Sequence, residues 1–460
     1  MIIEKSDENL IKKYFSEYLD QVVLTLKNNK CDELLLNSLK VYGKVMRVSG
    51  LRIEATGLNV PAGTICQINI GSEKAFAEVT AFSHGITLLM AMTSLDGVKQ
   101  GAEVIPIKAV DQVAVSDQLV GRVFDAMGVP LDGKGNLVTN NYWPLYAKVF
   151  NPLKKEKIQQ TMDVGIKAIN GLLTAGKGQR VGIFSGSGVG KSVLLGMMTR
   201  FSKADVIVVG LIGERGREVK EFIEDSMGPA GISRSVVIAS AADTSPIMRA
   251  RGALMATAIA EYFRDRGKNV LLIIDSITRY AHALREIASS TGEVPAMRGY
   301  GASVFSSLSK LVERAGMGDT GKGSITAYYT VLVEGDDHEE PISDHMRSVL
   351  DGHIFLSREL AGNGHYPAID ILRSASRVMH AVVSPTHWKI AHAFRKLYSE
   401  YERHKEMILM GMYQAGTNSL IDRSIALKKK MDEFLQQSMN ENFNIDESIN
   451  LLKEVIDSKD

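Results

Sequence analysis

Ser185-Gly186-Ser187-Gly188-Val189-Gly190-Lys191-Ser192 sets glycines at alternate positions and ends on a cation and a hydroxyl. Glycines let consecutive backbone N–H groups turn inward and form a concave nest for phosphate oxygens. A helix that begins at the lysine adds the positive end of its dipole. In such a loop Lys191 can reach the β- and γ-phosphates of a nucleoside triphosphate, and the Ser192 hydroxyl can ligate Mg²⁺. The flanks are those the loop needs: a strand pattern over 180–185 before it and an apolar helical run over 193–198 after it. Ser185 stands where the general pattern opens with glycine, but Ser187 and Gly188 keep the inside of the loop small. A glycine-rich turn carrying a chance Lys-Ser would have no reason to sit between those two elements.

Two carboxylates belong with this loop. Leu271-Leu272-Ile273-Ile274-Asp275 is a buried-type strand that ends in an acid. In a parallel sheet that places Asp275 at the carboxyl edge, where it can hold Mg²⁺ through water or through Ser192. Gly213-Glu214-Arg215-Gly216-Arg217-Glu218 comes directly after a second such strand over 206–212. Hydrolysis needs a group that orients and polarises a water in line with the γ-phosphate, and Glu214 can supply it. Arg215 is expected to position Glu214 or to meet a phosphate oxygen, whereas a surface ion-pair cluster suits Arg217 and Glu218 better. Other sets carry less. The acidic run Glu334-Gly335-Asp336-Asp337-His338-Glu339-Glu340 has no fixed ligand spacing and reads as a solvated loop. Met407, Met410, Met412 and Met431 read as helical core. The ten histidines form no two-histidine zinc pattern, and Cys31 and Cys66 read as buried reduced thiols.

Something must hold these groups together. Strand patterns at 180–185, 205–212, 236–240 and 269–275 alternate with helical ones, which implies a parallel sheet covered by helices on both faces. Ahead of it, β-rich runs at 44–53, 64–70 and 86–92 are broken by Gly and Pro, the texture of a small closed barrel. Residues 121–135 are rich in turn formers and read as a connector. The runs 390–412, 420–437 and 446–456 have helical periodicity, with Asn444 or Asp446 able to cap the last. At the front, Leu10, Ile11, Tyr14, Phe15, Tyr18, Leu19, Val22 and Leu26 share one helix face. That face either packs on its own domain or binds a partner or another copy, and the residues leave both open. The expected organisation is an N-terminal amphipathic helix over 1–30, a β-barrel over 31–110, an α/β P-loop core over 111–380 and a helical domain over 381–460.

Composition narrows the function. The 460 residues carry 54 Lys+Arg against 53 Asp+Glu, a net charge of +1, and the first 110 hold 12 of each sign. Broad electrostatic binding of nucleic acid needs a clustered basic surface, so an RNA-translocating ring is disfavoured and no nucleic-acid partner is expected. No apolar run approaches the ~18 residues that cross a bilayer, and the first residues lack the apolar centre of a signal peptide. A cytoplasmic protein, brought to a membrane only by partners, is expected.

In this order the motifs resemble the catalytic-subunit family of rotary ATP synthases and its type III protein-export relatives, over about 40–440. Gly121-Arg122-Val123-Phe124-Asp125, the run Gly165-Ile166-Lys167-Ala168-Ile169-Asn170-Gly171-Leu172-Leu173 and Gly213-Glu214-Arg215-Gly216-Arg217-Glu218-Val219 carry the likeness. Residues 45–57, Glu334-Gly335-Asp336-Asp337, Leu350-Asp351-Gly352-His353-Ile354, His365-Tyr366-Pro367-Ala368-Ile369-Asp370, 411–416 and 421–425 are most similar to the flagellar type III export ATPases. In that group a phosphate loop opening with Ser or Ala is usual.

The resemblance implies a RecA-like core that binds ATP and Mg²⁺, with Ser185, Gly186, Ser187, Gly188, Val189, Gly190, Lys191, Ser192 and Val193 on the nucleotide. Ser192 and Asp275 would serve the metal, and Lys191, Glu214 and Arg215 the chemistry. It also implies that Arg377 reaches into a neighbouring subunit's site and that Tyr366 packs on adenine, hence a homohexamer. By themselves Tyr366 would read as a strand-edge aromatic and Arg377 as half of a surface ion pair. The role of Arg279 stays open. Two departures stand out: Asn170 replaces a usual Asp, and Gly301-Ala302 replace a Pro-Pro pair in what would be the ring's central loops.

The implied function is MgATP hydrolysis that energises type III export for flagellum assembly, releasing chaperones and unfolding cargo. Implied partners are a stator-like regulator at the N-terminal helix, a central-stalk protein, export chaperones and cargo, and an export gate at the inner membrane, to which the protein would be peripherally recruited. An injection-type secretion ATPase is the near alternative. A rotary ATP synthase catalytic subunit would carry an acidic C-terminal motif that 395–440 lacks. A non-catalytic ring subunit would lack the Glu214 carboxylate.

Overall fold

The computed structural model describes residues 42–109, 111–146, 152–333 and 340–458. The helix expected over 7–27, Cys31 and the acidic residues 334–339 lie outside these. Within the described residues no helix is long and apolar enough to cross a membrane. The chain divides into two compact units.

The first unit is a barrel. Strands β1 (Gly43–Ser49), β2 (Arg52–Thr56), β3 (Thr64–Ile70), β4 (Glu73–Ser83), β5 (Ile86–Ala91) and β6 (Glu103–Ala109) close in the order β1-β2-β5-β4-β3-β6. Ile53 and Ala55 on β2, and Ala75, Ala77 and Val79 on β4, are buried at every second position, as a pleated strand with one face on a core requires. The run expected as one strand over 44–53 is instead a hairpin, with Ser49 paired to Arg52 across its turn. Cys66 is fully buried, and burial pushes its thiol up to about 11.

The second unit is built on a nine-stranded sheet. Its strands are β7 (Arg122–Phe124), β8 (Arg180–Ser185), β9 (Val206–Ile212), β10 (Ser235–Ser240), β11 (Asn269–Asp275), β12 (Gly316–Met317), β13 (Ser324–Leu332), β14 (Gly352–Leu356) and β15 (Ile369–Ser376). The order is β15-β14-β8-β13-β11-β9-β10-β7, with β12 added against β13. Two expectations need correction. Residues 121–135 are not only a connector, because β7 is the edge strand and pairs in parallel with β10. The Asp132 carboxylate pins that strand by accepting from the Arg122 guanidinium at 2.6 Å and from the Val123 N–H at 3.1 Å. The sheet is also mixed, since β15 runs antiparallel to β14. Between those two lies only one short helical turn, Arg358–Gly362, whereas a parallel return needs a full crossover.

Alternation along the strands divides the interior in two. Val208, Val236, Leu272 and Ala327 face one apolar cluster with Ile259, Phe263, Tyr280 and Leu308. Ile207, Val209, Leu271, Ile273 and Tyr328 face another, with Leu195, Met198, Phe394, Met431 and Leu452. The helices that cover them are α1 (Lys167–Leu172), α2 (Lys191–Phe201), α3 (Pro246–Asp265), α4 (Ile277–Thr291), α5 (Ala302–Glu313), α6 (Pro385–Leu409), α7 (Ser419–Leu435) and α8 (Ile445–Asp457). Asn444 caps α8 in a reciprocal box with Glu447. The methionine expectation holds only in part. Met431 is fully buried, but Met410 and Met412 are 71% and 72% exposed, because α6 ends at Leu409 before its apolar pattern does.

Both departures from the family pattern have local causes. Asn170 is fully buried, and its amide donates to Asp163 Oδ1 at 2.8 Å and to the Phe443 carbonyl at 3.0 Å. Its oxygen accepts from the Val164 N–H at 3.2 Å. A carboxylate there would face the Asp163 carboxylate and leave the Phe443 carbonyl without its donor. Asn170→Asp is therefore expected to cost about 2–4 kcal/mol at neutral pH. The new acid would have a raised folded-state pKa, so the deficit should shrink as pH falls through that value. Urea unfolding of both proteins at pH 5 and pH 8 checks this, and equal midpoints at pH 8 would refute it. At Gly301 a Cβ would lie only 2.4 Å from Glu293 Oε1. That carboxylate accepts the Ser303 N–H at 2.9 Å and the Ser303 hydroxyl, and so caps α5 where a proline pair would otherwise start it.

Candidate active site

Parallel register brings several strand ends to one edge. Leu211 lies opposite Asp275, Ile274 opposite Tyr329, and Ser185 opposite Leu332. The segments leaving β8, β9, β11 and β13 therefore converge there, at the carboxyl edge where open α/β sheets bind ligands. The loop after β8 turns through Gly188 (φ 76) and Gly190 (φ 85), left-handed positions that a side chain would strain. Gly190 then serves as N-cap of α2, whose first residue is Lys191.

A cavity of about 640 Å³ opens over this edge. Ser185, Gly186, Ser187, Gly188, Gly190, Lys191, Ser192 and Val193 line one side, and Glu214, Arg215, Asp275, Arg279 and Arg358 line the other. Val189 is buried beneath the loop. Lys191 Nζ donates to Asp275 Oδ1 at 2.5 Å and lies 3.4 Å from Glu214 Oε1. Thr330, on the neighbouring strand, donates its hydroxyl to the same Asp275 oxygen at 2.6 Å. Asp275 is almost wholly buried, and these two donors satisfy an oxygen that water reaches little. Burial opposes the Lys191 ammonium, but Asp275 and Glu214 outweigh it and hold its pKa above the ordinary value. Glu214 is pushed up to about 7, chiefly by burial, with Lys191 opposing and Asp275 and Glu218 adding to the rise.

The remaining residues fall less neatly. Arg215 is 84% exposed in its side chain and pairs with Glu218 at 3.7 Å rather than with Glu214. Arg377 lies just past β15, outside the cavity lining of its own chain, where its guanidinium donates to the Arg347 carbonyl at 3.1 Å. Tyr366 is also outside the lining, but its ring comes within 3.3 Å of where a Gly190 Cβ would be, and it is 45% exposed. Thr330 escaped the sequence reading because nothing local marks a buried threonine as the partner of an acid on the next strand.

The residues present fit a triphosphate and its metal. Beyond the glycine cradle, Arg279 Nε and the Ser185 hydroxyl are buried at the cavity without a hydrogen-bond partner among the described residues. Both can serve a ligand's oxygens as donors.

Residues 165–376 match the ATP synthase alpha/beta family nucleotide-binding domain, 45–108 that family's beta-barrel domain, and 383–454 the T3SS EscN ATPase C-terminal domain. The flagellum-specific ATP synthase of Pseudomonas aeruginosa is 52% identical, over 89% of this chain and 91% of its own length. That of Salmonella typhimurium is 47% identical over 94% and 98%. Among solved structures, the assembled ATPase EscN in complex with its central stalk EscO, from the enteropathogenic E. coli type III secretion system, superposes with a TM-score of 0.83. It is 41% identical and covers 90% of this chain and 100% of its own.

Proposed function

Because the chain belongs to the ATP synthase alpha/beta family, within its flagellum-specific and type III secretion branch, we propose that MgATP lies across the 186–192 loop and is cleaved between Lys191, Asp275 and Glu214. The protein is an ATP hydrolase of the type III export kind, and flagellar export is the better supported of the two settings. The observation that carries the site assignment is the Lys191 ammonium held between Asp275 and Glu214 at the sheet edge.

In the proposed reaction Lys191 leaves its carboxylates for the β- and γ-phosphate oxygens. Glu214 accepts a proton from the water that attacks the γ-phosphorus. The bond from that phosphorus to the bridging oxygen breaks, and ADP leaves with the electron pair. A raised pKa suits Glu214 to this task, since a base works best when its pKa lies near the operating pH. Ser192 and Asp275 would hold Mg²⁺, directly or through water, and the ion would neutralise charge on the phosphate oxygens.

The exposure of Arg377 outside the cavity lining of its own chain supports a role on a second copy. We assign it to the neighbouring subunit's site in a self-assembled ring, a homohexamer, with a central stalk as partner. Hydrolysis is assigned to residues 111–380. A stator-like regulator at the N-terminus, export chaperones and cargo, and the inner-membrane export gate complete the proposed partners.

Phosphate release measured across concentrations that span self-association tests this. Specific activity should rise steeply as the protein assembles and stay at background in a Lys191→Ala control. Activity independent of assembly would remove the shared site, and full activity in the control would remove the phosphate-loop assignment.

A further inference from the structure

The chain segment just past α7 grips the aromatic beside the phosphate loop. Gln437 is 5% exposed, and its side chain meets three main-chain groups. Its oxygen accepts the Lys167 N–H at 2.8 Å, and its amide donates to the Gly165 and Glu441 carbonyls, each at 2.9 Å. A primary amide offers an acceptor oxygen and two N–H donors without charge, and here the oxygen and both donors are engaged. With the side chain fixed, the Gln437 backbone N–H donates to the Tyr366 carbonyl at 2.9 Å. The adjacent Gln436 amide lies 3.4 Å from His365 Nδ1. Tyr366 is thus held from behind by the C-terminal helical segment while its ring lies against Gly190.

We propose that Gln437 is a positioning residue for nucleotide binding, setting Tyr366 against the phosphate loop so that a displacement of α6–α8 alters affinity for the base and not for the phosphates. The inference rests on the reading that Tyr366 faces the nucleotide base. Coupling of this kind is reciprocal: whatever shifts those helices changes nucleotide affinity, and bound nucleotide changes affinity for whatever holds the helices.

The test compares MgADP with magnesium pyrophosphate, which offers two phosphates without base or ribose. Calorimetry on the full chain should show ADP binding about fivefold weaker in Gln437→Ala, and pyrophosphate binding within about twofold of the original. Gln437→Met keeps the length of the side chain and loses all three bonds without placing a charge beside the Gly165 and Glu441 carbonyls, so it should shift in the same direction. Tyr366→Ala should also weaken ADP alone, and adding Gln437→Ala to it should bring no further loss. If Tyr366→Ala weakens ADP and neither Gln437 variant does, the coupling is wrong and the base reading stands. If Tyr366→Ala leaves ADP unchanged, the base reading falls and takes the coupling with it. Equal loss of both ligands in the Gln437 variants would mark a general scaffold role and overturn the proposal. On the unmodified chain, exchange of the Gln437 amide hydrogen should slow with ADP and not with pyrophosphate. Equal protection by the two would overturn the proposal without any variant.

Discussion

Glu214→Gln should bind ATP with little change in affinity and turn it over at least about a hundredfold more slowly, the usual contribution of a positioned general base. The substitution keeps an oxygen that can accept from Lys191, now 3.4 Å away, so the fold and the loop should survive it. The proton acceptor alone is removed. The pH profile gives a second signature. Glu214 is raised to about 7, first by burial, and only its ionised form can accept the proton. The kcat/KM of the original protein should therefore climb as pH rises through about 7 and level off above it, whereas this limb should vanish in the Gln variant. Steady-state turnover and nucleotide binding, each measured from pH 5.5 to pH 9, check both points. Ordinary turnover in the variant would take Glu214 out of the mechanism.

Arg377→Ala should assemble and bind nucleotide, yet lose hydrolysis by about a thousandfold, the scale of an arginine supplied to phosphoryl transfer from a neighbour. Truncation should disturb the fold little, since the side chain is exposed and, among the described residues, its hydrogen bond is to the Arg347 carbonyl. A mixing experiment makes the claim specific. Glu214→Gln and Arg377→Ala subunits are each inactive alone, but a mixed ring contains interfaces where an intact Glu214 meets an intact Arg377. Partial activity should return on mixing. If Arg377→Ala hydrolyses normally while assembled, or mixing restores nothing, the trans arrangement is wrong.

How much of this could be read in the sequence depended on how local each signal was. Asp275 ends one strongly apolar strand, Glu214 follows close on another, and Lys191 and Ser192 open the helix after a third, so parallel register is enough to bring them to one edge. Thr330 meets Asp275 only through the pairing of β11 with β13, which leaves no mark within either strand. Asn170 could be noticed as a departure, but its partner at Phe443 lies 273 residues away, so its reason was hidden. β7 was missed because three strand residues lie among turn formers. The expectation for Met410 and Met412 failed because apolar periodicity ran on past the helix end. Gln437 carried no signal at all, since its three bonds go to main-chain groups of whatever residues happen to be there.

The contact between Lys191 and Asp275 has one more implication. Lys191 and Asp275 are each other's counter-ions at the cavity wall, the cation partly exposed and the acid almost wholly buried. A bare phosphate would have to draw Lys191 from that pair and would leave the buried Asp275 carboxylate with the Thr330 hydroxyl alone of those two partners. A metal–nucleotide complex brings both signs at once, its oxygens to Lys191 and its ion to the acid. The pair thus asks for a ligand that carries both signs together, since only such a ligand replaces both halves of it.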